Sequence, residues 1–317
     1  MVVPEFRGVL TGLSLVAVGL LAATNIDFGL AGEALLSSLQ FHIGLAVLAL
    51  PLLLLLTGAW RRALLMLGLI VIGLADGGYT VLQQQSLRSA LAKQTPVTTV
   101  SVLSFNVLNS NVRGADAAAY IASSGADIVT VLEAVGLGDR LADLARIYPY
   151  RLGCETVAIC DMTLLSKTPF TEGRVIPLPS LNRLRLITAK TMVHGQELAV
   201  VSMHLSKPYF DGIAPWEMKQ VGWAIGHLKG PVVLMGDFNA AAWSHDVAQF
   251  VAEAKLMPGP GYPATWPVEA GAYGVPIDNM FTRGGALIQS IAATPQSYGS
   301  NHRGLLATVA IMPPAAP

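Results

Sequence analysis

Polar residues that could bind a cation or a phosphate follow several apolar runs in this 317-residue chain. The clearest case is VVLMGDFNA, in which a continuous apolar run ends in Asp237 and Asn239. Similar runs end in Asn106, Glu133 and His204. Strands without polar alternation are typical of a sheet buried on both faces, so that only the strand ends meet water. We therefore expect these side chains to converge on one crevice.

Two further candidates lie near the C-terminus. Asp278 occurs in PIDNMF and His302 in SNHRGLLATV. An imidazole can take a proton from water near neutral pH, and a hydrogen bond to its other ring nitrogen fixes the tautomer that does so. The sequence therefore predicts that His302 is a general base and that Asp278 orients it.

These groups together suit the hydrolysis of a phosphoester, which requires charge neutralisation and an activated nucleophile. A hard cation bound by carboxylate and amide oxygens supplies the first, and Mg²⁺ or Mn²⁺ suits such ligands better than zinc. Glu133 is the first predicted ligand, with Asn106 and Asp237 beside it. His204 would donate hydrogen bonds to the phosphoryl oxygens, and Asn239 would orient the phosphate or the attacking water. Taken singly, each residue also fits a turn or a solvated strand end.

The composition indicates a membrane-embedded portion, because 53% of the residues are apolar and only 13% are charged. The apolar excess lies at the N-terminus, where we predict an anchor over residues 1–82 with spans at about 8–24, 41–60 and 63–82. A helix needs about 20 residues to cross the hydrocarbon. The first run alone also fits a cleaved signal peptide, since it is short and ends in small residues. Two further apolar runs favour the anchor.

Charge sets the predicted orientation of the spans. Arg7 precedes the first span, Arg61 and Arg62 separate the second from the third, and the loop between the first two contains no Lys or Arg. The positive-inside rule then places the N-terminus in the cytoplasm, and three spans deliver the remaining chain to the outer side. The predicted location is the inner (cell) membrane of a bacterium, as a multi-pass protein with its catalytic domain on the periplasmic or extracellular side.

The remainder of the chain is predicted to form one domain over 97–312, after a Gln-rich linker at 83–96 and before a Pro/Ala tail at 313–317. The predicted strands cover 98–107, 128–132, 198–205, 232–235, 277–281 and 305–311. The predicted helices cover 116–124, 137–147, 216–228 and 244–256. These assignments rest on hydrophobic pattern and on helix stop signals.

Cysteine usage and charge leave two questions open. Cys154 and Cys160 are the only cysteines, and they fit either a disulfide across a hairpin or two buried thiols. The formal net charge of zero weakens the case for nonspecific nucleic-acid binding, which needs a basic face. A local basic patch is still allowed by residues that are close in sequence, Arg174, Arg183, Arg185 and Lys190.

The ordered set of motifs resembles the endonuclease/exonuclease/phosphatase superfamily, which includes DNase I-like nucleases, abasic-site endonucleases, inositol polyphosphate phosphatases and neutral sphingomyelinases. The stretches that carry the resemblance are LSFNVLNSN, ADIVTVLEA, VVSMHL, VVLMGDFNA, PIDNMF and GSNHRGLLATV. They cover roughly residues 98–311. The resemblance implies a DNase I-like four-layered α/β sandwich and a magnesium-dependent phosphoesterase site. Apolar N-terminal segments and ATWP before PID are similar to a membrane-anchored bacterial branch of unassigned substrate.

The resemblance also implies roles for the matched residues. It gives Asn106 and Glu133 to the metal, His204 to phosphate stabilisation, Asp237 and Asn239 to nucleophile and phosphate orientation, Asp278 to support of the histidine, and His302 to general base catalysis. One position departs from the family pattern, because Asn301 stands in SNH where the family has Asp. Asn301 keeps an oxygen ligand for the metal but loses a charge, which should weaken cation binding.

Two functions of different classes follow from these residues. The first is a membrane-anchored, outward-facing, Mg²⁺-dependent phosphoesterase, whose substrate is a nucleic acid, a lipid head group or a small phosphate compound. The second, motivated by Asn301, is a non-catalytic sensor or binding module that keeps the fold with a weakened metal pocket. No protein partner can be inferred, and turnover separates the two functions.

Overall fold

The computed structural model describes residues 2–30, 32–155, 160–178, 183–208 and 212–313. In this part of the chain, the helices before the first strand are α1 (Val2–Ala23), α2 (Glu33–Ser38), α3 (Gln40–Val47), α4 (Ala49–Leu56) and α5 (Trp60–Ser86). Those that follow it are α6 (Gly114–Ser123), α7 (Arg140–Asp143), α8 (Ala214–Gly226) and α9 (His245–Glu253).

The strands form two sheets of mixed direction. They are β1 (Thr98–Asn106), β2 (Ile128–Leu132), β3 (Tyr150–Leu152), β4 (Met162–Ser166), β5 (Phe170–Leu178), β6 (Arg183–Val193), β7 (Gln196–His204), β8 (Val232–Asp237), β9 (Met257–Pro258), β10 (Asp278–Arg283), β11 (Ala286–Ala293) and β12 (Leu305–Ile311). The first sheet has the order β11-β12-β1-β2-β4-β3, and the second has the order β5-β6-β7-β8-β10-β9. The β1–β2 and β7–β8 pairs are parallel.

The apolar strands bury both faces of each sheet. Val100 and Ile128 from the first sheet meet Val200 and Val233 from the second, and all four are 0% exposed. Helix α6 covers the outer face of the first sheet, and α8 and α9 cover that of the second. The layers therefore follow the predicted order of helix, sheet, sheet and helix.

Two helices before the sandwich are long and apolar enough to cross a membrane, among the residues that the structure describes. They are Pro4–Ala23, with 20 residues, and Trp60–Ser86, with 27. The predicted second span falls on the shorter apolar stretch Gln40–Leu56, which is divided into α3 and α4. Pro51 contributes to this division, because its nitrogen cannot donate the hydrogen bond that would continue the helix. The predicted count of three spans is not confirmed.

The segment predicted as a linker packs against the sandwich. Helix α5 continues to Ser86, beyond the predicted end of its span. Arg88, which is 8% exposed, donates hydrogen bonds to the carbonyl oxygens of Pro258 at 2.8 Å and Ile288 at 2.9 Å. Gln85 donates to the carbonyl of Gly259 at 2.9 Å. Buried polar contacts of this kind hold α5 on the domain, because breaking them leaves polar groups without partners.

One predicted helix is wrong. Residues 137–147 form α7 between two 3₁₀ turns, Ala134–Leu137 and Leu144–Arg146, rather than a continuous helix. Gly138 has a left-handed φ of 52°, which ends the first turn before α7 begins. Of the predicted tail at 313–317, only Pro313 lies within the described residues.

Cys154 and Cys160 form a disulfide, so the first of the two interpretations of this pair is the observed one. Their Cα atoms lie 4.8 Å apart, within the range that a disulfide spans. The bridge closes the loop that precedes β4.

Candidate active site

Polar side chains meet at one end of the two sheets. Asn106 ends β1, His204 ends β7, Asp237 ends β8, and Asp278 begins β10. Strands β7 and β8 are parallel, with His204 paired with Asp237, whereas β10 runs antiparallel to β8, with Asp278 opposite Asp237. Carboxyl ends of parallel strands share one edge, and the antiparallel partner brings its first residue to the same edge. This register gathers residues that are far apart in sequence.

Asp237 is at the centre of this cluster and is 1% exposed. Its Oδ1 accepts a hydrogen bond from the backbone N–H of Asn239 at 2.8 Å, and its Oδ2 accepts one from Asn106 Nδ2 at 3.1 Å. The Nε2 atoms of His204 and His302 lie 3.8 Å and 3.9 Å from the same Oδ2. Burial raises the pKa of Asp237, and the nearby charge of Asp278 raises it further.

A glycine allows β7 and β8 to lie close together at the cluster. A Cβ atom at Gly236 would overlap the carbonyl oxygen of Met203, the residue before His204. The glycine in the GDFN motif is therefore needed for the approach of the two strand ends that carry His204 and Asp237.

His302 is paired with Asp278 as the sequence predicted. The His302 Nδ1 and Asp278 Oδ2 atoms are 2.9 Å apart, and both residues are buried. The Ser300 hydroxyl accepts a hydrogen bond from the His302 backbone N–H at 3.0 Å and donates one to the Asn106 carbonyl at 2.7 Å. Burial alone would lower the pKa of His302, but the negative charges around it, above all that of Asp278, raise it to about 9.

A second histidine–aspartate pair, formed by the buried His204 and the half-buried Asp161, lies on the other side of Asp237. His204 Nδ1 is 3.1 Å from Asp161 Oδ2, and Arg185 Nε is 2.7 Å from the same oxygen. Burial opposes the charged forms of His204 and Asp161, but their hydrogen bond and mutual attraction outweigh it. The pKa of His204 is raised and that of Asp161 is lowered.

Sequence reasoning missed Asp161, and it allowed Arg185 as a member of a local basic patch. Asp161 directly precedes β4, whereas every candidate selected from the sequence except Asp278, Asn301 and His302 ends a strand or follows one. An acidic residue immediately before an apolar run is the sequence feature that could have identified Asp161 as a candidate. Arg185 lies inside β6 and is 9% exposed, so it contributes to the site and not to an exposed basic face. Lys190 pairs with Glu172 at 3.0 Å on the surface.

Glu133 and Asn239 occupy left-handed backbone positions next to the cluster. Their φ angles are 52° and 53°, which are uncommon for residues other than glycine and are often found at functional sites. Glu133 Oε2 accepts a hydrogen bond from the Asn109 N–H at 2.7 Å, and its Oε1 lies 3.3 Å from Asn106 Nδ2. The Asn239 side-chain N–H donates to the Leu205 carbonyl at 2.9 Å, which fixes the orientation of its amide.

The donor groups of the cluster fit a hard divalent cation. One ligand atom each from Asp237, Asp278 and His302 lies within 4.8 Å of the others. Carboxylate oxygens dominate this set and the neighbouring Glu133, and a cation would offset the negative charge of two buried carboxylates that lie this close together. Asn301 is exposed, and within the described residues no hydrogen bond joins its side chain to the other candidates. Its predicted role as a metal ligand stays a prediction.

The other histidines form hydrogen bonds away from this cluster. Their partners are backbone atoms: Tyr273 for His42, Thr99 for His194, Trp223 for His227 and Thr24 for His245. Trp243, which follows Asn239 in the same loop, packs edge-on against Phe41 with ring centroids 4.9 Å apart.

The sequence model of the Endonuclease/Exonuclease/phosphatase family matches residues 103–302. The chain belongs to this family. The match includes every residue of the cluster, from Asn106 to His302. No curated protein matches the chain.

Solved structures share the fold of this family member. TDP2 from D. rerio, complexed with single-strand DNA product, is 18% identical over 67% of this chain and 99% of its own, with a TM-score of 0.55. A beta toxin mutant from Staphylococcus aureus with bound magnesium ions is 15% identical over 66% and 99%, with a TM-score of 0.52. Sphingomyelinase C from Streptomyces griseocarneus is 17% identical over 67% and 99%, with a TM-score of 0.50. The predicted DNase I-like α/β fold is confirmed.

Proposed function

We propose that this chain is a membrane-anchored, outward-facing, Mg²⁺-dependent phosphoesterase. The observation that carries the proposal is the position of Asp237 between two histidine–aspartate pairs, with Glu133 and Asn106 at its side. Buried charges in such numbers are costly to fold, and they cluster where they act on a substrate or an ion. Membership of a family with a phosphoesterase fold supports the same reaction class.

Each residue of the cluster has a proposed role. Asn106, Glu133, Asp237 and Asn301 would hold Mg²⁺, or Mn²⁺ in its place. When bound, the cation would neutralise charge on the phosphate and offset the negative charges that raise the pKa of His302, which favours the neutral imidazole. His302, oriented by Asp278, takes a proton from the attacking water.

The remaining two residues act on the phosphate and the nucleophile. His204, whose pKa is raised by its hydrogen bond to Asp161, donates a hydrogen bond from Nε2 to a phosphoryl oxygen, where negative charge develops in the transition state. Asn239 and Asp237 orient the water and the phosphate. The fixed Asn239 amide supports this role, because its carbonyl oxygen is free of the bond that its N–H makes to Leu205.

The ligands and names of the structurally similar proteins agree with phosphoester hydrolysis. The D. rerio TDP2 structure holds a DNA product and the beta toxin structure holds magnesium, and the third neighbour is a sphingomyelinase. A phosphoester substrate and a magnesium ion are therefore the first choices for this chain.

Anchoring is proposed from the N-terminal helices and their charges. Residues 1–82 would form the membrane anchor, as in the membrane-anchored bacterial branch that the sequence resembles. Residues 97–312 would form the catalytic domain. Arg7, Arg61 and Arg62 favour a cytoplasmic N-terminus. The disulfide between Cys154 and Cys160 agrees with a domain on the oxidising, outer side of the inner membrane.

A substrate panel tests the proposed function. The full-length protein in detergent is incubated with an aryl phosphodiester, single-stranded DNA, RNA, a phospholipid and a sugar phosphate, with Mg²⁺ or with chelator. We expect hydrolysis of at least one substrate with Mg²⁺ only. Equal rates for the wild type and for Glu133→Ala and His302→Ala would refute catalysis by this site.

The same experiment addresses the second candidate function. Asn301 in place of the family's Asp motivates a sensor that binds a cation without turnover. Cation binding with no hydrolysis of any substrate would favour the sensor.

A further inference from the structure

The path of the chain fixes which end of the sandwich faces the anchor. Gln84 of α5 donates a hydrogen bond to the Ala242 carbonyl at 2.9 Å, at the end of the sheets that holds the active site. Farther along, Leu91 packs against Leu287 and Met312 at the opposite end. The segment after α5 therefore runs from the catalytic end to the opposite end, and β1 returns towards the catalytic end, where Asn106 closes it.

The loop after β8 rests directly on the anchor. Ala241 N–H donates a hydrogen bond to the Ser38 hydroxyl at 2.9 Å, and Trp243 Nε1 donates to the Ser38 carbonyl at 3.2 Å. His245 Nε2 lies 3.1 Å from the Thr24 carbonyl, just after α1 ends. This loop begins at Asp237, so the anchor contacts lie within a few residues of the catalytic cluster.

Two more loops at the catalytic end make similar contacts. His42 Nε2 donates to the Tyr273 carbonyl at 2.9 Å, in the segment that leads to Asp278. Gly32 N–H donates to the Pro208 carbonyl at 3.3 Å, in the segment after β7. Loops that follow β7 and β8 and precede β10 therefore all touch residues 24–42. The end of the sandwich that carries the active site is its anchor-proximal end.

Exposed apolar residues surround this junction. Ile26, Phe28 and Leu30, in the segment between α1 and α2, are 48%, 53% and 68% exposed, and Trp216 and Tyr273 are 67% and 77% exposed. Large apolar and aromatic side chains at the outer end of a membrane helix are typical of the bilayer interface. The turn at the opposite end of the sandwich, between β6 and β7, instead contains exposed polar residues such as His194.

We infer that the active site opens at the bilayer surface and that its substrate is a phosphoester carried by the head group of a membrane lipid. This inference rests on the proposed function and adds its substrate class. A lipid in the same leaflet reaches such a site by lateral diffusion, whereas a long nucleic acid would have to enter between the domain and the membrane. The zero net charge of the chain gives no compensating attraction for a polyanion.

The activity test uses the full-length protein reconstituted in vesicles of phosphatidylethanolamine, phosphatidylglycerol and cardiolipin. Lipid products are measured by mass spectrometry with Mg²⁺ and with chelator, beside an aryl phosphodiester and single-stranded DNA. We expect head-group hydrolysis that is about tenfold or more faster for lipids of the protein's own vesicles than for lipids of protein-free vesicles, because a shared surface raises effective concentration. Hydrolysis of the aryl compound or DNA without lipid hydrolysis would overturn the inference and leave the proposed function intact. No hydrolysis of any compound would count against both.

A second measurement tests the orientation without activity. A fluorophore is attached to Ser110→Cys, on an exposed loop at the catalytic end, or to Glu197→Cys, at the opposite end of β7, under conditions that keep the native disulfide. Lipids with a head-group quencher should quench the first label strongly and the second weakly. Equal quenching, or stronger quenching at Glu197→Cys, would overturn the inference.

Discussion

Two histidine–aspartate pairs flank Asp237, and their surroundings differ. No Lys or Arg pairs with Asp278 in the part of the chain that the structure describes, and the pKa of His302 rises to about 9 because the charges of Asp278, Asp237 and Glu133 outweigh its burial. The pair of His204 and Asp161 includes Arg185, whose charge lies 2.7 Å from Asp161. In the pair with Asp278, His302 can lose its proton when a bound cation offsets the negative charge nearby. In the other pair, the hydrogen bond and charge of Asp161 raise the pKa of His204, although burial and the charge of Arg185 oppose this.

This difference supports the distinct roles proposed for two similar side chains. A proton acceptor must change its charge during the reaction, so its pKa must respond to what binds beside it. A group that stabilises developing negative charge works best if it keeps one charge state throughout. Arg185 supports the second role, because it holds Asp161 ionised next to His204.

The largest expected effect is that of His302→Ala. Loss of the general base should lower kcat for aryl phosphodiester hydrolysis by about 10²–10⁴-fold, with little change in KM. The matched control is His227→Ala, which removes an exposed histidine on α8's C-terminal side and should leave the rate unchanged. Similar rates for the wild type and His302→Ala would show that His302 is not the general base.

Replacement of His204 should have the next largest effect. His204→Ala removes one donor to the phosphoryl oxygens, for which about 10²–10³-fold in kcat is typical. The two pairs should differ in pH dependence, since His204→Ala lowers the rate without moving the inflection of the rate profile. A displaced inflection in this variant would reverse the proposed assignment of the two histidines.

The charge around His302 predicts a pH-dependent stability of the metal-free protein. Its pKa is about 9 in the folded state and about 6.5 when unfolded, so its stabilising contribution is complete below pH 6.5 and is lost as the pH rises to 9. The loss is about 3 kcal/mol at most. Unfolding in chelator should show a smaller decrease over this range in Asp278→Asn. An equal decrease in the free energy of unfolding of the wild type and of Asp278→Asn would show that the His302–Asp278 pair does not cause the pH dependence.

Arg185→Met should destabilise the fold, with a smaller effect on the rate. It leaves the Asp161 carboxylate buried beside His204 alone, and breaking a buried pair costs about 3 kcal/mol. Thermal unfolding of the variant beside Lys190→Met tests this, because Lys190 and Glu172 form a surface pair whose loss should matter much less. An equal decrease in Tm for Arg185→Met and Lys190→Met would show that the Arg185–Asp161 pair contributes no more to stability than a surface pair.

The sequence alone predicted the location of the candidate residues at the ends of strands. Asn106, Glu133, His204 and Asp237 each follow a continuous apolar run, and burial of such strands leaves only their ends for chemistry. The family resemblance supplied the four-layered α/β sandwich, which no single motif specifies.

Other features depend on tertiary contacts that no local pattern records. Strands β5 and β6 contain exposed and polar positions, so their apolar pattern is weak, and Arg185 inside β6 gave no signal of its buried partner. The contact of Ser38 with Ala241 joins residues about 200 positions apart and could not be read from either segment. The division of the second apolar run at Leu48 depended on Pro51, which hydropathy does not record.

The proposed binding of one cation by distant strand ends is tested most directly by counting bound Mn²⁺. Electron paramagnetic resonance of the full-length protein in detergent, titrated with Mn²⁺, should show tight binding that Mg²⁺ displaces. Binding should be weakened in Glu133→Ala and in Asp237→Asn alike, although these residues lie on different sheets. Unchanged Mn²⁺ affinity in both variants would contradict a shared metal site.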